Sequence, residues 1–177
     1  MKNFKWPVAV LAFVLTLALS VGAVQLRQRQ MVNEPLFKRM SEFEPVKKVD
    51  VQLEQGTQVV VINLDYVEDF SLTHRELNEE IERLLGQKRY RLDILDGRDQ
   101  ALEAAFGAVH LALYEGEHRG NFTEMGDQVS AILSDLGIPE HKVMVDNENI
   151  YLQIRQGDAY LYEIIQRKYH GKEGERV

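Results

Sequence analysis

Histidines and carboxylates are the residue types from which a catalytic or metal site would have to be built in this chain. The histidines are scattered, and no two of them have the i, i+4 spacing of a zinc-binding helix: His74, His110, His118, His141 and His170. The chain has no cysteine. A disulfide scaffold, a Cys-ligated zinc or iron–sulfur site and a cysteine nucleophile are therefore excluded.

One polar strip on a predicted helix is the best candidate for proton chemistry. On a helical projection of residues 98–115, this strip holds Glu103, Gly107, His110 and Tyr114. A Glu–His–Tyr strip can be a proton-transfer site or a buried polar network. The more ordinary interpretation is a half-buried histidine where two helices meet, with a glycine that allows close approach. The sequence therefore assigns no catalytic residue to this strip.

Motifs for other reactions are missing from the sequence. No serine lies in a G-x-S-x-G or S-x-x-K context, and neither G-x-G-x-x-G nor a Walker A run occurs. Asp65, Glu68 and Asp69 form an acidic loop whose oxygens could hold calcium. They lack the spacing of a calcium-binding loop, so a solvated acidic loop is the ordinary interpretation. The sequence predicts no enzyme, no metal and no cofactor.

The composition is that of a folded, acidic chain. Its 177 residues are 45% hydrophobic and carry a net charge of -7, with 28 acidic against 21 basic residues. An acidic balance argues against a general nucleic-acid-binding protein.

The N-terminus carries the strongest functional signal. The run from Trp6 to Leu26 contains no charged residue. At ~1.5 Å per residue, such a helix crosses the hydrocarbon core of a bilayer. The sequence therefore predicts a retained membrane anchor. The alternative is a cleaved signal peptide with the cut after Ala23, although the apolar run is long for that role.

The side of the membrane is less clearly encoded. Positive charges flank the run on both sides, with Lys2 and Lys5 before it and Arg27 and Arg29 after it. A very short N-terminus followed by a long domain is the layout of a signal-anchor. We therefore expect the domain to lie outside the cytoplasm.

Local patterns predict an α+β fold. The predicted elements are a hairpin over 49–64, a helix from an N-cap at Thr73 to Gly86, a strand over 90–95, an alanine-rich helix over 98–115, a helix from an N-cap at Asn121 to Gly137, and a meander over 143–165. This order indicates one domain in which three helices pack on one face of a mainly antiparallel sheet. Because the alanine-rich helix is apolar or small nearly all round, we expect it to be buried on more than one side.

The chain is expected to divide into four segments. These are an N-terminal membrane anchor (1–26), a juxtamembrane connector (27–48), an α+β globular domain (49–166) and a polar tail (167–177). Within the connector, Pro35 and Pro45 bracket a short amphipathic helix. This helix is predicted to lie at the membrane interface or to pack on the domain.

One face of the meander is the predicted partner-binding surface. Strict alternation places these residues on the sheet face away from the helices: Tyr151, Gln153, Arg155, Tyr160 and Tyr162. An exposed face rich in tyrosine and arginine has the composition of protein–protein hot spots. The alternative is that the tyrosines simply cover an outer sheet face.

Together these features predict a single-pass, membrane-anchored, extracytoplasmic protein-interaction or assembly module without enzymatic activity. Its expected partners are the lipid bilayer, through residues 6–26, and other envelope or membrane proteins, but not nucleic acid; a homo-oligomer stays open. The alternative function is an exported or anchored small-ligand sensor, with a pocket between the alanine-rich helix and the sheet near His110. A hydrolase assembled from distant carboxylates and histidines is a third hypothesis.

Overall fold

The computed structural model describes residues 13–17, 20, 34–86 and 89–168. Its elements follow in the order α1 Glu34–Ser41, β1 Val46–Glu54, β2 Thr57–Leu64, α2 Phe70–Leu85, β3 Tyr90–Leu95, α3 Gln100–Arg119, α4 Phe122–Asp135, β4 Glu140–Val145, β5 Asn149–Gln156 and β6 Ala159–Gln166. The α+β class predicted from the sequence is confirmed. The starts of two helices differ in detail. Asp69, not Thr73, is the N-cap of α2, and Asn121 stands at the N-cap of α4 without a side-chain capping bond.

The strands form two three-stranded sheets, so the prediction of one sheet is wrong. In the first sheet, β1 pairs antiparallel with β2, and β2 pairs parallel with β3 in a register that matches Val60 with Leu92. Parallel strands need a long crossover, and α2 supplies it between β2 and β3. The second sheet is the predicted antiparallel meander, in the order β4–β5–β6.

The loop after β3 joins the two sheets. The Tyr160 amide donates to the Gly97 carbonyl at 3.3 Å, and the Tyr162 amide donates to the Asp96 carboxylate at 2.7 Å. Arg98 ties the same loop to β6, because its guanidinium donates to Asp96 at 2.8 Å and to Glu163 at 2.7 Å. A side chain at Gly97 would place its Cβ 2.7 Å from the Tyr160 ring, so this junction needs glycine.

The helices lie on both faces of the second sheet rather than on one. Helices α3 and α4 cover one face and form a core with it, built from Leu102, Ala105, Val109, Leu113, Met125, Val129, Leu133, Ile138, Ile150, Leu152, Ile154, Leu161 and Ile165. The other face belongs to a second core with α1, α2 and the first sheet, built from Leu36, Met40, Val49, Val60, Ile62, Leu64, Val67, Phe70, Leu77, Ile81, Leu85, Tyr151, Tyr160 and Tyr162. The short helix α1 therefore packs on the domain through Leu36 and Met40.

Part of the predicted chain organisation lies beyond the described residues. The predicted anchor over 6–26 falls mostly outside them, although residues 13–17 and 20 are helical. In the parts of the chain that the structure describes, no helix has both the length and the apolar character that a membrane span requires. Most of the predicted polar tail also lies outside the described residues.

Candidate functional site

The five residues of the predicted partner-binding face lie together, but that face is covered. In the β5–β6 register, Gln153 stands opposite Tyr162 and Arg155 opposite Tyr160. Tyr151, Gln153, Tyr160 and Tyr162 are buried, whereas Arg155 is partly exposed, with its guanidinium 4.2 Å from the centre of the Tyr66 ring. The expectation of an exposed face is wrong because the start of α2 and the loop before it pack on these side chains. The Phe70 ring stacks on Tyr162 with centroids 4.2 Å apart.

The polar atoms of this face bind the backbone of the β2–α2 loop. The Tyr162 hydroxyl accepts from the Val67 amide at 2.7 Å and donates to the Asp65 carbonyl at 3.2 Å. Gln153 accepts from the Phe70 amide at 3.2 Å and donates to the Val67 carbonyl at 2.6 Å. Backbone amides and carbonyls of the loop, which have no partner in a helix or sheet, therefore form their hydrogen bonds with side chains of strands far along the chain. Burial raises the pKa of Tyr162 and keeps its hydroxyl protonated.

A second group of titratable residues lines an open cleft between α2 and the β4–β5 turn. The Tyr151 hydroxyl donates to the Asp146 carboxylate at 2.9 Å and lies 3.2 Å from Nδ1 of His74. Further along α2, the Tyr90 hydroxyl donates to the Asn78 side-chain oxygen at 2.9 Å. The cleft has a volume of about 520 Å³. It was missed at the level of sequence because its residues come from three elements and none of them forms a motif.

The environment of this cleft shifts the pKa values of several of its titratable groups, so that some of these side chains are neutral and one is charged. Burial lowers the pKa of His74, which favours the neutral imidazole. Burial acts against the charged form of Asp146, but hydrogen bonds from the Asn149 and Glu148 amides and from the Tyr151 hydroxyl outweigh it, so the pKa of Asp146 is lowered. Burial and Asp146 raise the pKa of Tyr151 to about 12. The cleft therefore offers a neutral imidazole and a carboxylate linked by a phenol, which can bind a polar ligand.

The strip around His110 is neither a network nor a pocket. Nδ1 of His110 bonds to the Gly107 carbonyl at 2.8 Å, while Glu103 pairs with Arg98 at 3.2 Å. Within the described part of its own chain, Gly107 contacts no other helix, since a Cβ there would meet nothing within 4 Å. Beneath this strip, Val109 is fully buried in a packed core. The clefts formed by the described residues at His74, Tyr66, Gly120 and Pro45 do not include His110.

The three carboxylates of the acidic loop point to different partners. Asp65 pairs with Lys47 at 3.0 Å, and Glu68 lies 4.0 Å from Lys142. Asp69 accepts from the Leu72 amide at 2.9 Å and caps α2. Over the described ranges, no group of three or more His, Asp or Glu residues could hold a metal ion.

The largest departure from the sequence expectations is an exposed apolar stripe on α3. The helix buries one side only; its outer side carries Ala104, Gly107, Ala108, Leu111 and Tyr114. Leu111 is 70% exposed and Tyr114 is 54% exposed. The exposed positions of the neighbouring helix α4 are mostly polar, at Glu124, Asp127, Gln128, Ser134 and Asp135. A contiguous exposed apolar patch, rather than a single exposed side chain, is what marks a candidate interaction surface.

Comparison with known proteins adds no assignment. No protein-family model, curated protein or solved structure matches this chain.

Proposed function

We propose that this chain is a single-pass, membrane-anchored, extracytoplasmic protein-interaction or assembly module without enzymatic activity. One observation carries the proposal: the apolar stripe of α3, with Leu111 at 70% exposure, has no covering element in the described part of the chain. The uncharged run from Trp6 to Leu26 supports the membrane anchor. Interaction through this stripe replaces interaction through the tyrosines of β5 and β6, which are buried.

The absence of an enzymatic activity is proposed because many of the charged groups already have structural partners. Arg98 joins β3 to β6, Asp69 caps α2 and Asp65 is paired with Lys47. Several titratable side chains line the His74 cleft, but no nucleophilic serine, threonine or lysine is among the residues that line it.

The first test is topology. Gln156 is exposed at the end of β5, and the chain has no cysteine, so Gln156→Cys is a unique reporter. We expect a membrane-impermeant maleimide to label the full-length chain on intact cells. A cytoplasmic reporter would contradict the extracytoplasmic placement, and a labelled but shortened chain would mean that the N-terminal segment is cleaved.

The second test concerns the stripe. The tagged full-length chain is purified from solubilised membranes as the wild type and as Leu111→Glu. Gln128→Glu on the polar face of α4 is the matched control, because Gln128 is exposed. We expect Leu111→Glu to lose the co-purifying chains and Gln128→Glu to retain them. Equal recovery with all three proteins would contradict an interaction through α3.

A second candidate function is the binding of a polar small ligand, as in an anchored or exported sensor. The observation that favours it is the cleft of about 520 Å³ in which His74, Tyr151 and Asp146 are linked. It differs from the pocket predicted near His110, where the core is packed. The test is an NMR titration of the His74 ring with a panel of small polar metabolites, using Tyr151→Phe as the comparison. If no compound shifts the His74 signals, this candidate function fails.

A further inference from the structure

The stripe on α3 is divided into a half with small residues and a half with large ones. Its N-terminal half presents Ala104, Gly107 and Ala108, and its C-terminal half presents Leu111 and Tyr114. A Cβ at Gly107 would meet nothing within 4 Å, so the helix backbone is open there. The stripe therefore has a depression at one end and a protrusion at the other.

Such a surface is complementary to itself when two copies are placed antiparallel. In helix packing, a side chain enters the hole formed by residues i, i+3, i+4 and i+7 of the facing helix. We place Leu111 of one copy in the hole that the other copy forms between Gln100, Glu103, Ala104 and Gly107. In this arrangement the twofold axis passes beside Gly107. The same axis places the second Leu111 in the equivalent hole, as a closed twofold interface requires.

The charges beside the stripe permit this approach. Glu103 pairs with Arg98 at 3.2 Å, and Glu115 pairs with Arg119 at 2.5 Å. The carboxylates at both ends of the stripe are therefore compensated within their own copy. Although the chain has a net charge of -7, the contact surface brings no unpaired like charges together.

We propose that α3 is a homodimer interface, in which the partner on the stripe is a second copy packed antiparallel across Gly107. This inference rests on the proposed function and names the partner of the same surface. One helix face is small against the ~800 Å² that each partner buries in a standard interface. The contact is therefore weak between free chains, and confinement of the anchored copies to one membrane raises their effective concentration.

The test is disulfide formation between full-length chains in membranes under mild oxidation. We expect Gly107→Cys to form a dimer with itself severalfold more efficiently than Gln128→Cys on α4, because a disulfide needs Cα atoms within ~7 Å. Gly107 is an open position, so the substitution is not expected to disturb folding. Circular dichroism of the reduced protein checks this.

Two further variants determine the orientation of the helices. In the antiparallel pair, Ala104 of one copy lies beside Leu111 of the other, whereas the two copies of Ala104, or of Leu111, lie roughly 10 Å apart along the axis. Differently tagged Ala104→Cys and Leu111→Cys chains should therefore cross-link when mixed and not when expressed alone. Self-cross-linking at all three stripe positions would mean a parallel pair, and cross-linking no stronger than Gln128→Cys would mean no dimer; either result overturns the inference. If the dimer fails but Leu111→Glu still removes other co-purifying proteins, the proposed function stands without it.

Discussion

The contact between α3 and α4 leads to the most demanding prediction. Gly116 is buried where the two helices cross, and a Cβ added there would lie 2.5 Å from both Cβ and Cγ of Met125. Ordinary carbon–carbon contacts are ~3.5–4.0 Å. Gly116→Ala therefore requires a relative shift of about 1 Å. Rotation of the Met125 side chain cannot provide it, since its Cβ is fixed to the backbone.

The expected change in the free energy of unfolding is a balance of two terms. Replacing a glycine within a helix by alanine stabilises it by about 1 kcal/mol. Overpacking a core typically costs about 1–3 kcal/mol and occasionally more. Because the clash involves Met125 Cβ, the steric term is at or above the top of that range. We expect Gly116→Ala to destabilise the protein by about 2 kcal/mol.

The same helix provides the control. A Cβ at Gly107 meets nothing within 4 Å, so Gly107→Ala should stabilise by about 0.5–1 kcal/mol. Both variants are compared by urea unfolding of the detergent-solubilised chain, followed by circular dichroism at 222 nm, in a Leu111→Glu background that removes the proposed self-association.

Equal effects of the two substitutions would refute the reasoning. So would a Gly116→Ala protein as stable as its parent. A third variant identifies the steric partner: in a Met125→Ala background the penalty of Gly116→Ala should largely disappear, because residues in contact have non-additive effects.

Three further predictions concern other contacts. Tyr162→Phe should destabilise by about 1–3 kcal/mol in urea unfolding, because it leaves the buried Val67 amide without its acceptor; Tyr114→Phe, at an exposed tyrosine, should have no effect. The pKa of His74 is lowered in the folded state by burial. As the pH falls, the unfolded chain therefore binds the proton before the folded chain does. The contribution of His74 to stability should decrease from about pH 6.5 downwards and be constant above it. The measurement is thermal unfolding as a function of pH; if the melting temperature of His74→Asn falls as steeply with decreasing pH as that of the wild type, the prediction is wrong. Asp69→Ala should lower the free energy of unfolding by about 1 kcal/mol through loss of the α2 cap, whereas Asp69→Asn should retain most of the stability. Equal stability of the two variants in urea unfolding would contradict a role of the Asp69 side chain as the cap.

Local regularities of the sequence were sufficient to predict where these helices and strands lie along the chain. The 3.6-residue apolar period of α3 and α4 and the alternation of β5 and β6 depend only on near neighbours, so these elements lie close to where the sequence predicts them. The same alternation placed the side chains of Gln153 and Tyr162 on one face, and the structure has them opposite each other across β5 and β6. The βαβ connection was not recognised, because a strand, a helix and a strand can also be arranged with antiparallel neighbours.

Which of the predicted faces is exposed was decided only by tertiary structure. Amphipathic residues such as Tyr160 and Tyr162 suit an exposed face as well as a buried one whose hydroxyls find partners. Here the partners are the carbonyl of Leu64 and the amide of Val67, more than 90 residues away along the chain. Conversely, the sequence predicts that the alanine-rich α3 is buried on more than one side, but no layer covers its outer side in the described part of the chain. Periodicity determines which residues share a face, whereas long-range packing determines what, if anything, lies against it.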